Sequence, residues 1–262
     1  MEDNKFPAEV SISLSGGAAK GAFHLGAISV LEENNVKIKA ISATSIGALI
    51  GGSLACGRNS KEIFAILKSK AFRKIFKLSL GKGYLYKVDM DAEVISSLID
   101  RSSFSQLNMP LDIAVTNVCD ANIEYHSSGT NLKEIILASC SISPLIKPVS
   151  LGNKLLADGG MIDNFPVQRL VTSPYKIIGI NLYPNDYKKP SSIISWIKKI
   201  IFITWHSHNL TKIELCDIYV SSDKLNELST FSFRDLDKAY ALGRLEMKKI
   251  YTKHNKTDLT HN

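Results

Sequence analysis

Several things are scarce in this chain, and each scarcity removes a class of function. Only four cysteines occur in 262 residues, Cys56, Cys119, Cys140 and Cys216, and no two lie within four residues of each other. Structural zinc sites and dithiol redox centres need cysteines at short spacing, so no metal site and no redox cofactor is predicted. Scattered thiols point to a reducing compartment, not to a disulfide framework. No apolar run reaches the roughly 18 residues of a membrane-spanning helix. Ile41 to Gly57 is diluted by Gly, Ser and Thr, and Ile193 to Trp205 is short and interrupted by Lys198 and Lys199. The start, Met1-Glu2-Asp3-Asn4-Lys5, lacks the basic-then-apolar pattern of a secretory leader. Repeats, low-complexity tracts and clear linkers are also missing. These absences predict a cytoplasmic protein that is soluble or peripheral at a membrane.

Acidic residues are in deficit. Thirty-two Lys and Arg face 25 Asp and Glu, a formal net charge of +7 and a pI near 9.1. That balance favours anionic partners such as phospholipid surfaces, nucleic acid or acidic substrates. No RNA- or DNA-binding signature accompanies it, so nucleic acid is not expected as a partner. The 45% hydrophobic share supports a sizeable core and excludes a wholly disordered chain.

Short apolar strands alternate with helical periodicity along the chain. Strands are predicted over Val10–Leu14, Ala40–Ala43, Leu111–Asn117, Ile123–His126, Leu155–Ala157, Lys176–Leu182 and Ile218–Val220. Helices are predicted over Ala22–Leu31, Ile46–Ala55 (with Gly57 as its cap), Ser60–Ser69 (capped by Ser60), Asp91–Asp100, Leu132–Ala138 and Asp235–Tyr251. This alternation is the pattern of a three-layer α/β/α fold around a mainly parallel sheet.

Three segments carry chemistry. In Ala43-Thr44-Ser45-Ile46-Gly47 a strand stops, one Ser follows, and a small-residue helix begins at once. Such a tight turn strains the Ser backbone and presents its hydroxyl, and small residues must flank it. The helix N-terminus stabilises negative charge developing there. The bland alternative is that Ser45 merely caps a buried helix. In the second segment, Gly16-Gly17-Ala18-Ala19-Lys20-Gly21 joins a strand to a helix. Its backbone N–H groups can converge on one anion, and beside a nucleophile such a nest is an oxyanion hole. Losing one donor there typically costs ~10²–10³ in rate. A Walker loop is excluded because Ala22 follows Gly21, and a dinucleotide fingerprint is weakened by Ala18 in place of its second glycine. The third segment, Leu155-Leu156-Ala157-Asp158-Gly159-Gly160, sets a carboxylate at a strand end. Alone it is a common turn; beside Ser45 it supplies the base that a Ser hydroxyl requires.

Together, in this order, the three segments resemble those of the bacterial patatin-like phospholipases, over about residues 10 to 250. Ala138 to Pro144 and Asn164 with Pro166 add to the likeness. The resemblance implies a Ser–Asp dyad with Ser45 as nucleophile and Asp158 as base. It implies an oxyanion hole at the N–H groups of Gly16, Gly17 and Ala18. Lys20, Gly21, Ala43, Gly47, Gly159 and Gly160 would support these groups. The implied reaction is hydrolysis of a carboxylic ester of an acyl lipid through an acyl-enzyme, with no cofactor and no catalytic histidine. The implied domain plan is a catalytic core over 10–172, a C-terminal part of the same globule over 173–252 and a flexible tail over 253–262. Two positions depart from the family pattern. Ala18 replaces a loop glycine, which costs ~1 kcal/mol if that position needs a positive φ, and Ala43 replaces the first glycine of the elbow. Lys20 reads first as a solvated helix-terminal lysine and second as a charge near a lipid head group.

Two other functions remain open at this level. One is a Ser-His-Asp esterase, with His206 or His208 completing a triad. The other is a lipid-binding protein whose site has decayed at Ala18 and Ala43. Contact with an anionic membrane has two candidate surfaces. The helix around Ile193–Trp205 contains both tryptophans, and the surrounding Tyr187 to Ile213 holds five lysines and no acid. Its apolar residues spread around the helix, which favours burial over the cleft. The run Lys61 to Lys87 holds eight basic residues against one acid, Glu62; it reads as a solvated basic face first and a lipid-facing patch second.

Overall fold

The computed structural model describes residues 5–79, 83–89, 92–184, 189–230 and 232–256; within 193–213 it describes every side chain except those of residues 194, 197, 198, 201, 204, 205, 207, 208 and 210. The elements in chain order are β1 (Glu9–Leu14), α1 (Ala22–Glu33), β2 (Lys37–Thr44), α2 (Ile46–Ala55), α3 (Ser60–Lys68), α4 (Lys70–Arg73), β3 (Phe76–Leu78), β4 (Tyr86–Val88), α5 (Glu93–Leu98), β5 (Leu111–Asn117), β6 (Asn122–His126), α6 (Leu132–Ser139), β7 (Val149–Leu151), β8 (Lys154–Asp158), β9 (Lys176–Ile180), α7 (Ile193–Ile213), β10 (Ile218–Val220) and α8 (Leu236–Lys256).

The main sheet runs β10-β9-β1-β2-β5-β8-β7, with β6 also paired to β5. β10, β9, β1, β2 and β5 are parallel to their neighbours in that order, while β6, β7 and β8 are antiparallel. The sheet is therefore mainly parallel, as the alternation of strands and helices predicts. β3 and β4 form a separate antiparallel hairpin that the sequence reading misses, because three-residue strands carry too little periodicity.

In β1, Val10, Ile12 and Leu14 enter the large apolar core, while Ser11 and Ser13 face the other way. Ser13 accepts from Ser42 at 3.0 Å and Ser11 bonds Ser173 at 2.7 Å, so the buried hydroxyls satisfy one another. Ile177 of β9 belongs to a second, smaller cluster with Phe165, Val167 and Leu170, whereas its neighbour Ile178 belongs to the large one. Adjacent strand residues point to opposite faces, so the sheet is covered on both.

Some boundaries differ from expectation. Asn59, not Ser60, caps α3: its side chain accepts from Lys61 and Glu62 backbone, and Glu62 returns a bond to Asn59. The Ser60 hydroxyl donates instead to Glu32. α8 continues to Lys256, so residues 253–256 are helical and not part of a tail; 257–262 lie outside the described residues. α7 extends to Ile213, well beyond the apolar run that marks it. Burial of that run is not what its exposed face shows: Ile193, Trp196, Ile200 and Ile203 are all exposed, at positions i, i+3, i+7 and i+10. Among the described side chains, Phe202 packs against the core, and Asn209 is buried and bonded to Asn181 at 3.3 Å.

α8 closes the fold by crossing α1 at backbone contact. A Cβ at Gly243 would sit 2.0 Å from the Phe23 carbonyl oxygen, and one at Gly26 would sit 2.0 Å from that of Tyr240. The two glycines thus make the crossing reciprocal. Gly243→Ala gains about 1 kcal/mol in helix propensity but forces the helices apart. Overpacking costs about 1–3 kcal/mol and more against rigid backbone, so a net fall in the urea-unfolding midpoint is expected.

Candidate active site

The register of β5 assembles the site. Leu111 to Ala114 pair with β2, and Val115 to Asn117 pair with β8. β6 pairs with Ile113 to Asn117, so it occupies the opposite edge of β5. β2 and β8 therefore meet end to end along a single edge. Thr44 is opposite Ala114 and Asp158 is opposite Val115. The residue that follows Thr44 is Ser45, and it is delivered directly to the Asp158 carboxylate. Ser45 Oγ donates to Asp158 Oδ2 at 2.6 Å, and both residues are buried.

Ser45 adopts φ 56° and ψ −127°, a conformation rare for a residue with a side chain. It costs about 1–3 kcal/mol and persists only where the surroundings over-determine it. The backbone N–H of Ser45 donates to Ser139 Oγ at 2.8 Å, and that hydroxyl donates to the Ala114 carbonyl at 2.8 Å. The Ser45 carbonyl accepts from Ala48 and Leu49 backbone and from the Cys140 thiol. Thr44 Oγ1 donates to the Asp163 carbonyl at 2.9 Å. Close packing fixes the rest: a Cβ at Gly47 would lie 2.4 Å from the Leu14 carbonyl oxygen, and one at Gly159 would lie 2.3 Å from that of Ala114. Ala43 is fully buried and its φ is not positive, so its methyl is accommodated without backbone strain.

Asp158 is held as tightly. Its backbone N–H donates to Ser141 and its carbonyl accepts from Thr116 Oγ1 at 2.9 Å. Its Oδ1 accepts from the Gly160 N–H at 2.7 Å. Burial pushes its pKa up to about 7, against the opposing pull of the hydrogen bonds from Ser45 and Gly160.

The glycine-rich loop lies on the other side of Ser45. A Cβ at Gly16 would fall 3.1 Å from Ser45 Cβ, and one at Gly21 would fall 2.4 Å from the Ile46 side chain. Ala18 has φ 47°, so this position does require the left-handed region and its methyl carries the expected strain of about 1 kcal/mol. One predicted donor is corrected: the Gly16 N–H is already spent on the Asn164 carbonyl at 3.0 Å. Ala19 N–H donates to Thr230 and Lys20 N–H to Gly17. Among the described residues, the N–H groups of Gly17 and Ala18 have no acceptor within the protein. Lys20 is also corrected. It is buried, not solvated, and its ammonium lies 5.4 Å from the centre of the Tyr183 ring.

Among the described side chains, no histidine bonds Ser45 or Asp158. His206 Nδ1 bonds the Tyr183 carbonyl at 3.2 Å and its ring stacks on Phe202, while Asp158 reaches Ser45 with no gap for an imidazole between them. The His208 side chain lies outside the described residues. His24 is fully buried and donates to the Ser15 carbonyl at 2.8 Å, which pins the start of the glycine-rich loop. Burial lowers its pKa to about 4, so it stays neutral.

Ser45 lines a cavity of about 740 Å³. Its wall is almost wholly apolar and includes Ile46, Leu49, Ile136, Leu137 and Phe233, with Ala18 beside the nucleophile and Arg73 and Lys133 among the few charged residues. Among the described residues no cluster of His, Cys, Asp or Glu is arranged to hold a metal ion. A strained buried Ser bonded to a buried carboxylate, beside two unspent N–H groups and open to an apolar cavity, is equipped for acyl transfer.

Residues 12–171 match the patatin-like phospholipase family. The chain belongs to that family. Among curated proteins it is 24% identical to lysophospholipase NTE1 of Debaryomyces hansenii over 95% of this chain and 18% of that one. It is 26% identical to an NTE family protein of Mycobacterium tuberculosis over 73% of this chain and 55% of that one. The chain thus spans about a fifth of the length of the lysophospholipase relatives it matches. Among solved structures, VipD of Legionella pneumophila shares the fold, with a TM-score of 0.58 and 14% identity over 95% of this chain and 68% of that one. The family segment covers Ser45, Asp158 and the glycine-rich loop.

The segment Ala138 to Pro144 resembles the family without revealing why. The geometry supplies the reason: Ser139, Cys140 and Ser141 hold the backbones of Ser45 and Asp158. Ser139→Ala leaves the Ser45 N–H buried without an acceptor, at a cost on the order of 1–3 kcal/mol. A lower urea midpoint and a slower reaction of Ser45 with fluorophosphonate are both expected.

The raised pKa of Asp158 has a sign that can be tested. In the unfolded chain this group ionises near 3.8, and in the folded protein near 7. The native state therefore loses stability as pH rises from about 4 through 7. Asp158→Asn removes that penalty, so its melting temperature should gain on the wild type between pH 4 and pH 8. A difference that is flat with pH would contradict the assignment.

Proposed function

We propose that this protein is a serine acyl hydrolase of lipids, with Ser45 as nucleophile and Asp158 as its only base. The observation that carries this reading is the 2.6 Å hydrogen bond from Ser45 Oγ to Asp158 Oδ2 at the wall of an apolar cavity. Ser45 Oγ attacks the ester carbonyl as its proton passes to Asp158. The oxyanion is held by the N–H groups of Gly17 and Ala18. Asp158 returns the proton to the departing alcohol, leaving the acyl group on Ser45. Water, deprotonated by Asp158, then releases the fatty acid and restores Ser45.

The substrate class follows from the cavity and the relatives together. The 740 Å³ of largely apolar space gives room for a long acyl chain. The relatives named lysophospholipase support a phospholipid with a single chain, or one chain of a larger acyl lipid. The surplus of basic residues supports peripheral contact with an anionic membrane, and no described helix is long and apolar enough to cross one.

The test is turnover of lysophospholipid and of p-nitrophenyl esters of graded length. Wild type should hydrolyse them, with kcat/KM rising up to fourfold per methylene while each added group buries ~0.8 kcal/mol. Ser45→Ala should lose both turnover and fluorophosphonate labelling. Asp158→Asn should lose about 10²–10⁴ in kcat. Because the base must be ionised, wild-type kcat/KM should fall as pH drops below about 7. Turnover retained by Asp158→Asn would reject the dyad. Absence of any ester turnover by wild type would leave a lipid-binding protein.

A further inference from the structure

The cavity opens through a rim that is itself apolar. Leu85, Tyr86 and Leu145 line the cavity and are also exposed, at 44%, 39% and 37%. Leu78, paired with Tyr86 across the β3–β4 hairpin, is 63% exposed and does not line the cavity. The hairpin and the loop 144–147 form one structure: Leu85 N–H donates to Pro144, Tyr86 N–H to Leu145, and Lys147 N–H to Tyr86. A continuous apolar path therefore runs from exposed surface to Ser45. Exposed cations surround it, namely Arg73, Lys74, Lys77, Lys87 and Lys147. Among the described residues, Asp89 lies 3.9 Å from Lys77.

We propose that this rim is the docking surface for an anionic lipid bilayer, with Leu78, Leu85, Tyr86 and Leu145 in the interface and the basic side chains on lipid phosphates. Resting on the acyl-hydrolase reading above, it assigns the route by which substrate arrives: the acyl chain passes from bilayer to cavity without crossing water. Apolar side chains ringed by cations match the layering of a bilayer surface, where phosphates lie outside the acyl region. An exposed apolar rim that merges with the wall of the substrate cavity has a use that scattered surface leucines lack. The exposed stripe of α7 is the rival surface, but among the described residues it lines no cavity leading to Ser45.

The experiment uses the full chain with phosphatidylcholine vesicles, with and without a third of phosphatidylglycerol. Binding is read by co-sedimentation in the Ser45→Ala background, so that hydrolysis does not alter the lipid. Turnover is read in parallel on a short, fully dissolved p-nitrophenyl ester and on lysophospholipid embedded in the vesicles. Binding should require the anionic lipid and weaken as salt rises. Leu78→Glu and the pair Lys74→Glu/Lys87→Glu alter residues outside the cavity wall. Each should weaken vesicle binding at least tenfold and slow hydrolysis of embedded substrate to match, with the dissolved-ester rate unchanged within twofold. Vesicle binding untouched by these variants, or lost instead through Trp196→Ser on α7, overturns the proposal. So does self-association of the wild type through the hairpin, if Leu78→Glu abolishes it and leaves vesicle binding intact. If wild type binds vesicles through the hairpin but cleaves no ester, the hydrolase reading fails and the docking surface stands.

Discussion

Everything at the site depends on one edge of β5. Two strands that approach from opposite directions share that edge, and their ends fall on adjacent residues, Ala114 and Val115. This places the residue after β2 against the last residue of β8. No loop has to reach across the molecule to bring Ser45 and Asp158 together. The hydrogen bond between them is held by the sheet that carries both residues.

The cost of this placement is a strained Ser45, and the strain is offset by a dense set of supports. Ser139 receives the Ser45 N–H, and Thr44 is tied to the Asp163 carbonyl. Asp163 is in turn a hub. Its carboxylate accepts from Tyr125 at 2.6 Å, from Gln168 and from the Phe165 N–H, and it forms an ion pair with Lys212 of α7. Burial alone would raise its pKa, but the Lys212 charge and these hydrogen bonds hold it below the ordinary carboxylate range. The two carboxylates near the site thus differ by environment: Asp163 is kept charged and structural, whereas Asp158, with no cation bonded to it, titrates near neutrality.

Much of the site was legible because it is written in short, ordered segments. The strand-Ser-helix turn, the glycine-rich loop and Asp158-Gly159-Gly160 each specify a backbone geometry, and backbone geometry is what local sequence encodes best. The α/β alternation was legible for the same reason. What escaped depends on contacts between distant residues. That the Gly16 N–H is spent follows from Asn164, far along the chain, and the burial of Lys20 follows from Tyr183. Ser139 gives no signal on its own, since a Ser at a helix end is commonplace. The β3–β4 hairpin is too short to show a period. The outward stripe of α7 was hidden because apolar residues also occupy its other faces, so spacing alone could not tell which of them meet solvent.

The position of β1 sets an order on the life of the molecule. β1 lies between β2, which follows it closely, and β9, which begins at Lys176. On a ribosome its second edge stays unpaired until the chain has grown past residue 180. Ser45 meets its carboxylate only when β8 has been made, more than a hundred residues after β2. Such long-range pairing slows folding, because loop closure precedes any reward in contacts. Until β8 has been made, the glycine-rich loop and Ser45, joined through the pairing of β1 with β2, stand without the carboxylate that completes the site.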